Sequence, residues 1–208
     1  SPLGVLGAPC AVPRCVGLGA CALRLASPVG TARSSPSREG AWCPILGARL
    51  AVAGLGRMMV ILVPAVAAPV VLYASSSNRR DRGFARLLAL LLVFVGAMEL
   101  LVIADDFLAL LIGWELVGAC SWALIGYEWT DSARPRAALD AFLTTRAGDL
   151  GLYIAAAAAF AATGSFRFDT LPQLHGTTAA IVAGGLLLAA AAKSAQLPFS
   201  PWLFRAML

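Results

Sequence analysis

Ala192-Lys193-Ser194-Ala195-Gln196-Leu197-Pro198-Phe199 closes a stretch long and apolar enough to cross a membrane, with no charged residue between Thr170 and Ala192. A bilayer core of about 30 Å takes about 20 apolar residues in a helix. A lysine there costs about 2.5–3.5 kcal/mol on insertion scales, so it is seldom kept for packing. Such a residue usually faces a polar pathway. Pro198 and Pro201 just beyond it break the helix and open one.

The rest of the chain agrees with a membrane protein. Of its 208 residues, 60% are hydrophobic and 13% are charged, whereas soluble domains carry about 25% charged residues. The net charge of +5 comes from loop arginines and the N-terminal region and is no sign of nucleic-acid binding. Residues 1–56 form a separate region rich in Gly, Pro, Ser and Ala, with Arg14, Arg24, Arg33, Arg38 and Arg49 against the single acid Glu39. That is an organelle-targeting composition, here expected to be retained in part, and it has no secretory signal pattern. Cys10, Cys15, Cys21 and Cys43 fall in this region at spacings that match no zinc site and read as unpaired thiols.

Residues 57–208 are expected to be an all-α membrane region of about five spanning helices, near 58–78, 84–104, 107–127, 135–164 and 177–197, the last broken at Pro198 and Pro201. Pro64 and Pro69 would kink the first, and Asp105 or Asp106 would cap the third. Arg79, Arg80, Arg82, Arg86, Arg134 and Arg136 fall in or beside two loops on one side, which the positive-inside rule turns to the cytoplasm or matrix. The basic N-terminus then lies on the other side, against the rule. A second spanning segment at 45–56 would remove the conflict, but Arg49 opposes it.

Glu99, Glu115, Arg146, Asp149 and Lys193 lie at helical depth, and together they suggest a buried polar axis. Arg146 and Asp149 are three apart and share a helix face. Glu115 lies about two turns inside its helix. A Glu–Lys pair whose separation changes is a two-state proton switch, because burial and pairing act oppositely on both groups. Glu99 is a further candidate, one turn from a helix end. Blander readings are a structural Arg–Asp pair and interfacial carboxylates. His175 reads as a surface residue, and no metal site is expected. Gly184-Gly185 permits close helix packing.

Four ordered motifs carry a family resemblance: Leu101-Val102-Ile103-Ala104-Asp105-Asp106-Phe107, the run from Gly113-Trp114-Glu115 to Tyr127, Ala141-Phe142-Leu143-Thr144-Thr145-Arg146-Ala147-Gly148-Asp149, and Ala192–Phe199 with Trp202-Leu203. Over residues 80–208 they resemble the antiporter-like subunit 5 of respiratory complex I. The resemblance implies the first half of a fold of inverted five-helix repeats, each with one broken helix. It implies that Glu115 is the essential membrane glutamate and Lys193 the lysine of the broken helix. Arg146 and Asp149 match the pair that couples neighbouring subunits, and Glu99 is an added proton-path candidate.

The implied role is proton translocation within NADH:ubiquinone reductase in the mitochondrial inner membrane, or alternatively a bacterial plasma membrane. The chain itself is expected to hold no cofactor: NADH, FMN, iron–sulfur clusters and ubiquinone sit in other subunits. Expected partners are other membrane-arm subunits, membrane lipids and a second chain completing a split subunit 5, because the family continues with a relay histidine, a second repeat and a lateral helix. One departure stands out: the family reads His-Thr-Trp-Leu-x-Asp-Ala-Met where this chain has Ser200-Pro201-Trp202-Leu203-Phe204-Arg205-Ala206-Met207. The alternatives are a non-pumping structural remnant and a fragment of an Mrp-type sodium/proton antiporter or membrane-bound hydrogenase.

Overall fold

Apolar runs interrupted by short polar turns make helices the only way to satisfy the backbone in lipid. The computed structural model describes residues 48–52, 54–77 and 83–207. The cysteines at 10, 15, 21 and 43 and the arginines at 79, 80 and 82 lie outside the described residues. The helices are α1 (Leu55–Ser77), α2 (Phe84–Val102), α3 (Phe107–Ile125), α4 (Ala133–Thr163), α5 (Gly176–Lys193) and the short α6 (Pro201–Ala206), with a 3₁₀ turn at Phe168–Gln173 before α5. α1, α2, α3 and α5 are each long and apolar enough to cross a membrane. α4 has 31 residues, a length of about 46 Å; it carries Arg146 and Asp149 and is not among those four. Pro64 and Pro69 lie inside α1, which runs on through both.

At one end of the bundle three extended segments are stitched together. Leu50 bridges Ala104, and Asp106 bridges Arg167. The Ala51 amide donates to the Ile103 carbonyl at 2.8 Å, and the Phe107 amide donates to the Phe166 carbonyl at 2.9 Å. Asp106 is the centre of this knot. One carboxylate oxygen accepts from the Arg49 amide at 2.6 Å. The other caps α3 through the Ala109 amide, also at 2.6 Å. Burial pushes the Asp106 carboxyl up from its ordinary value, against the pull of the Ala109 and Leu108 amides. Of the two expected capping residues, Asp106 takes the role. The charge conflict at the N-terminus is also clarified. Among the described residues of the 45–56 segment, 48–52 are extended and form no helix. Arg49 lies at the acidic end, 4.0 Å from Asp105.

α4 packs most extensively on α5, and the seam is made of small residues. Leu152, Ala155, Ala156, Ala159, Val182 and Ala189 are buried there with Phe107 from α3. A Cβ built on Gly151 would stand 2.7 Å from the Gly185 carbonyl oxygen, so the two backbones approach as closely as glycine allows. Gly185 thus fulfils the packing role expected of the Gly184-Gly185 pair, while Gly184 faces open space. The alanine run at 155–159 has the same explanation: three of its members are seam residues.

α5 ends at Lys193, earlier than the expected break at Pro198. The stop is a Schellman motif. The Gln196 amide reaches back to the Ala191 carbonyl at 2.9 Å, and the Ala195 amide reaches the Ala192 carbonyl at 3.3 Å. Ala195 has a φ of 54°, the left-handed conformation usually given to glycine. The prolines therefore follow a helix end that is already made. Lys193 is the cation of the last turn, at the negative end of the helix dipole.

Two outcomes follow for the purified protein. Gly185→Val should cost at least about 1–3 kcal/mol through overpacking of the α4–α5 seam, seen as a lowered melting temperature. Ala195→Gly should raise stability by about 1 kcal/mol by relieving the left-handed alanine, with the same melting assay as readout.

Candidate functional site

α3, α4 and α5 bring four of the five sequence-predicted residues into one cluster. Arg146 on α4 forms an ion pair with Glu115 on α3 through Nη1 and Oε2. Its Nε stands 3.7 Å from Asp149 Oδ2, one turn further along α4. That separation is too long for a hydrogen bond. Arg146 Nε and Asp149 Oδ2 are in fact both buried without a hydrogen-bond partner among the described residues. Arg146 thus sits between two carboxylates and is bonded to one. Its guanidinium also lies over the Phe142 ring, 4.7 Å from the centroid. Asp149 is fully buried at 0% exposure, which makes any change in its pairing costly.

Lys193 reaches the cluster from the end of α5. Its Nζ donates to the Trp114 carbonyl at 3.4 Å. It also lies 5.1 Å from the centre of the Trp114 ring, a cation–π contact. Gly118 makes the room. A Cβ at position 118 would stand 2.7 Å from Arg146 Nη2 and 3.1 Å from Lys193 Nζ, so both cations border the space that this glycine leaves. A small cavity of about 120 Å³ opens beside Lys193 between Ser121, Thr145 and Trp202. Trp202 on α6 donates its indole N–H to the Ala192 carbonyl at 3.0 Å and so ties the segment after the break to the end of α5.

Glu99 stands apart. Its Oε1 is buried without a hydrogen-bond partner, and it joins no ion pair with the cluster among the described residues. His175 is an exposed residue at the start of α5, as expected. No grouping of His, Cys, Asp and Glu among the described residues could hold a metal ion. Arg205, the departure from the family pattern, finds a partner: its Nη1 pairs with Asp140 Oδ2 on α4 at 2.7 Å.

Sequence reasoning missed two aromatic donors. The Trp114 indole N–H donates to Asp149 Oδ1 at 2.5 Å. The Tyr153 hydroxyl donates to Glu115 Oε1. A signal for Tyr153 was present, since Arg146, Asp149 and Tyr153 recur at i, i+3 and i+7 and so line one helix face. Trp114 precedes Glu115 in the chain and gave no such sign.

Chemically, the cluster can hold one mobile cation between two carboxylates beside a second cation that carries a removable proton. Gly118→Ala should leave the fold intact, because the added methyl meets only the ends of flexible side chains. It should loosen the Arg146–Glu115 pair. A double-mutant cycle on Arg146→Lys and Glu115→Gln, run in the Gly118→Ala background, should return a smaller coupling energy than in the native chain.

The profile of the NADH:quinone oxidoreductase/Mrp antiporter transmembrane family matches residues 104–208. NAD(P)H-quinone oxidoreductase chain 5 of Synechocystis sp. is 38% identical over 163 residues, covering 74% of this chain and 24% of the relative. NADH-quinone oxidoreductase subunit L of Escherichia coli is 36% identical over 169 residues, covering 78% of this chain and 28% of the relative. The chloroplastic NAD(P)H-quinone oxidoreductase subunit 5 of Piper cenocladum is 37% identical, covering 74% of this chain and 22% of the relative. Among solved structures, the Mrp complex from Dietzia sp. matches 91% of this chain and 21% of the matched chain, at 33% identity and a TM-score of 0.73. This chain therefore spans about a quarter of the length of the curated relatives it matches. The chain belongs to the NADH:quinone oxidoreductase/Mrp antiporter transmembrane family, as an antiporter-like relative of chain 5 and subunit L.

Proposed function

We propose that the chain is a proton-translocating part of the membrane arm of a respiratory NADH:quinone oxidoreductase, with Glu115, Arg146, Asp149 and Lys193 as its working charges. The observation that carries this reading is the sharing of Arg146: it is in close contact with Glu115, while Asp149 Oδ2 stands at ion-pair distance, 3.7 Å, without a hydrogen bond. Such an arrangement has two positions for one cation. Moving a unit charge from about 4 Å to about 7 Å from Lys193 changes the energy there by about 2 kcal/mol at an effective dielectric of about 20. That shifts the lysine's protonation equilibrium by more than about tenfold.

On this reading the chain makes and breaks no bond except those to protons. The nicotinamide, flavin, iron–sulfur and quinone chemistry belongs to other subunits, whose energy reaches this site as changes of field along the membrane arm. The partners are neighbouring membrane-arm subunits and lipid. Glu99, without a link to the cluster, is the least supported of the proton-path candidates. The basic composition of residues 1–56 supports the mitochondrial inner membrane. The bacterial relatives support the bacterial plasma membrane as the alternative site of action. Fractionation of the source cells with an antibody to residues 37–56 separates the two.

A second reading has its own support: the Mrp complex matches nearly the whole chain, which favours sodium/proton exchange on the same charges. The experiment is Glu115→Gln in the intact complex. The proton-pumping reading expects quinone reduction to continue with fewer protons moved per electron pair. An unchanged ratio would leave the cluster as inherited structure. Proton flux that requires sodium and no NADH would favour the exchanger.

A further inference from the structure

Each carboxylate of the cluster has one oxygen held by an aromatic donor and the other turned to Arg146. Glu115 Oε1 accepts from the Tyr153 hydroxyl, and Oε2 pairs with Arg146 Nη1. Asp149 Oδ1 accepts from the Trp114 indole at 2.5 Å, and Oδ2 stands 3.7 Å from Arg146 Nε. We propose that Tyr153 and Trp114 are positioning residues, an aromatic clamp that leaves Glu115 and Asp149 one oxygen apiece for Arg146. The proposal deepens the proton-translocation reading and rests on it.

The physical argument concerns how an arginine leaves a carboxylate. Guanidinium and carboxylate fit each other as two parallel hydrogen bonds, and that fork is the strong form of the pair. An arginine bound in this way to Glu115 would be slow to leave. Tyr153 occupies the Oε1 side of Glu115 and Arg146 meets Oε2, so the pair is a single contact rather than a fork. Asp149 is limited in the same way by Trp114. Arg146 then exchanges between two single contacts of similar kind, rather than between a fork and a vacancy. A hydrogen bond to a charged acceptor is worth more than a neutral one, so both clamps also keep their carboxylates from turning away when Arg146 moves.

Trp114 does more than Tyr153. Its N–H holds Asp149, its carbonyl accepts from Lys193, and its ring lies under the lysine ammonium. Among the described residues it touches both Asp149 and Lys193, so a change at Asp149 reaches Lys193 through one rigid side chain. Tyr153 lies on the same stripe of α4 as Arg146 and Asp149 and reaches back to α3. The clamp therefore also spans the α3–α4 contact.

The test uses the intact membrane complex with Tyr153→Phe and Trp114→Phe, which keep the rings and remove the donors. Infrared difference spectra assign the two carboxylate bands by their loss in Glu115→Gln and Asp149→Asn. Tyr153→Phe should move the Glu115 band and leave the Asp149 band in place; Trp114→Phe should do the reverse. Proton transfer in Tyr153→Phe should slow by about tenfold, as expected for loss of one charge-assisted hydrogen bond, with the KM for NADH unchanged. Trp114→His keeps a ring N–H and should return the Asp149 band towards its native position. Bands that stay put in both phenylalanine variants would overturn the proposal. The bands report the clamp whether or not protons are pumped. If Glu115→Gln leaves the proton ratio unchanged, the translocation reading fails on its own.

Discussion

Everything in this site depends on how closely α4 and α5 approach. Gly151 and Gly185 bring the two backbones together, and buried alanines continue the seam on both sides. The contact sets where Lys193 ends up. A bulkier seam would push α5 outward and carry the lysine away from Trp114 and from the space over Gly118. In lipid there is little hydrophobic drive between helices, so close packing of small residues supplies the attraction. The charged cluster needs that packing for a second reason. Buried charges are tolerated only when their partners are already in place. The seam holds Lys193 against α3 and α4 at the point where the charges gather.

Within this frame, the charges are arranged by hydrogen bonds that carry no net charge of their own. Trp114 and Tyr153 fix the carboxylates, and the Trp114 carbonyl receives the lysine. The cations are left with the freedom that the anions lack. Arg146 has two acceptors on offer, and Lys193 has a cavity beside it. This is a division of labour between fixed anions and movable cations.

Much of this was legible in the sequence, for identifiable reasons. Helices show themselves in lipid by apolar runs, and charges inside such runs are conspicuous because they are expensive. Glu115, Arg146, Asp149 and Lys193 could be found in that way. The family motifs around them were specific enough to name the fold. What could not be read was the supporting cast. Trp114 and Tyr153 are ordinary residues in a membrane helix, and only the crossing of α3 and α4 shows which polar groups they meet. Gly118 looks like any helical glycine until two cations are found beside it. The end of α5 was misplaced because proline is the obvious helix breaker, whereas the chain stops at Lys193 on backbone hydrogen bonds and a left-handed alanine. Arg205 looked like a lost acid and proved to have an acid waiting for it on α4.

The knot around Asp106 has a mechanical side. It fastens the start of α3 to the chain entering α1 and to the chain leaving α4, all at one face of the bundle. The opposite ends are held differently: Arg86 donates to the Tyr127 carbonyl at 2.8 Å, and Arg205 pairs with Asp140 at 2.7 Å, both through long, exposed side chains. The knot of backbone and buried carboxylate fixes the register of the three segments, while the far face is joined by contacts that a side chain can break and remake.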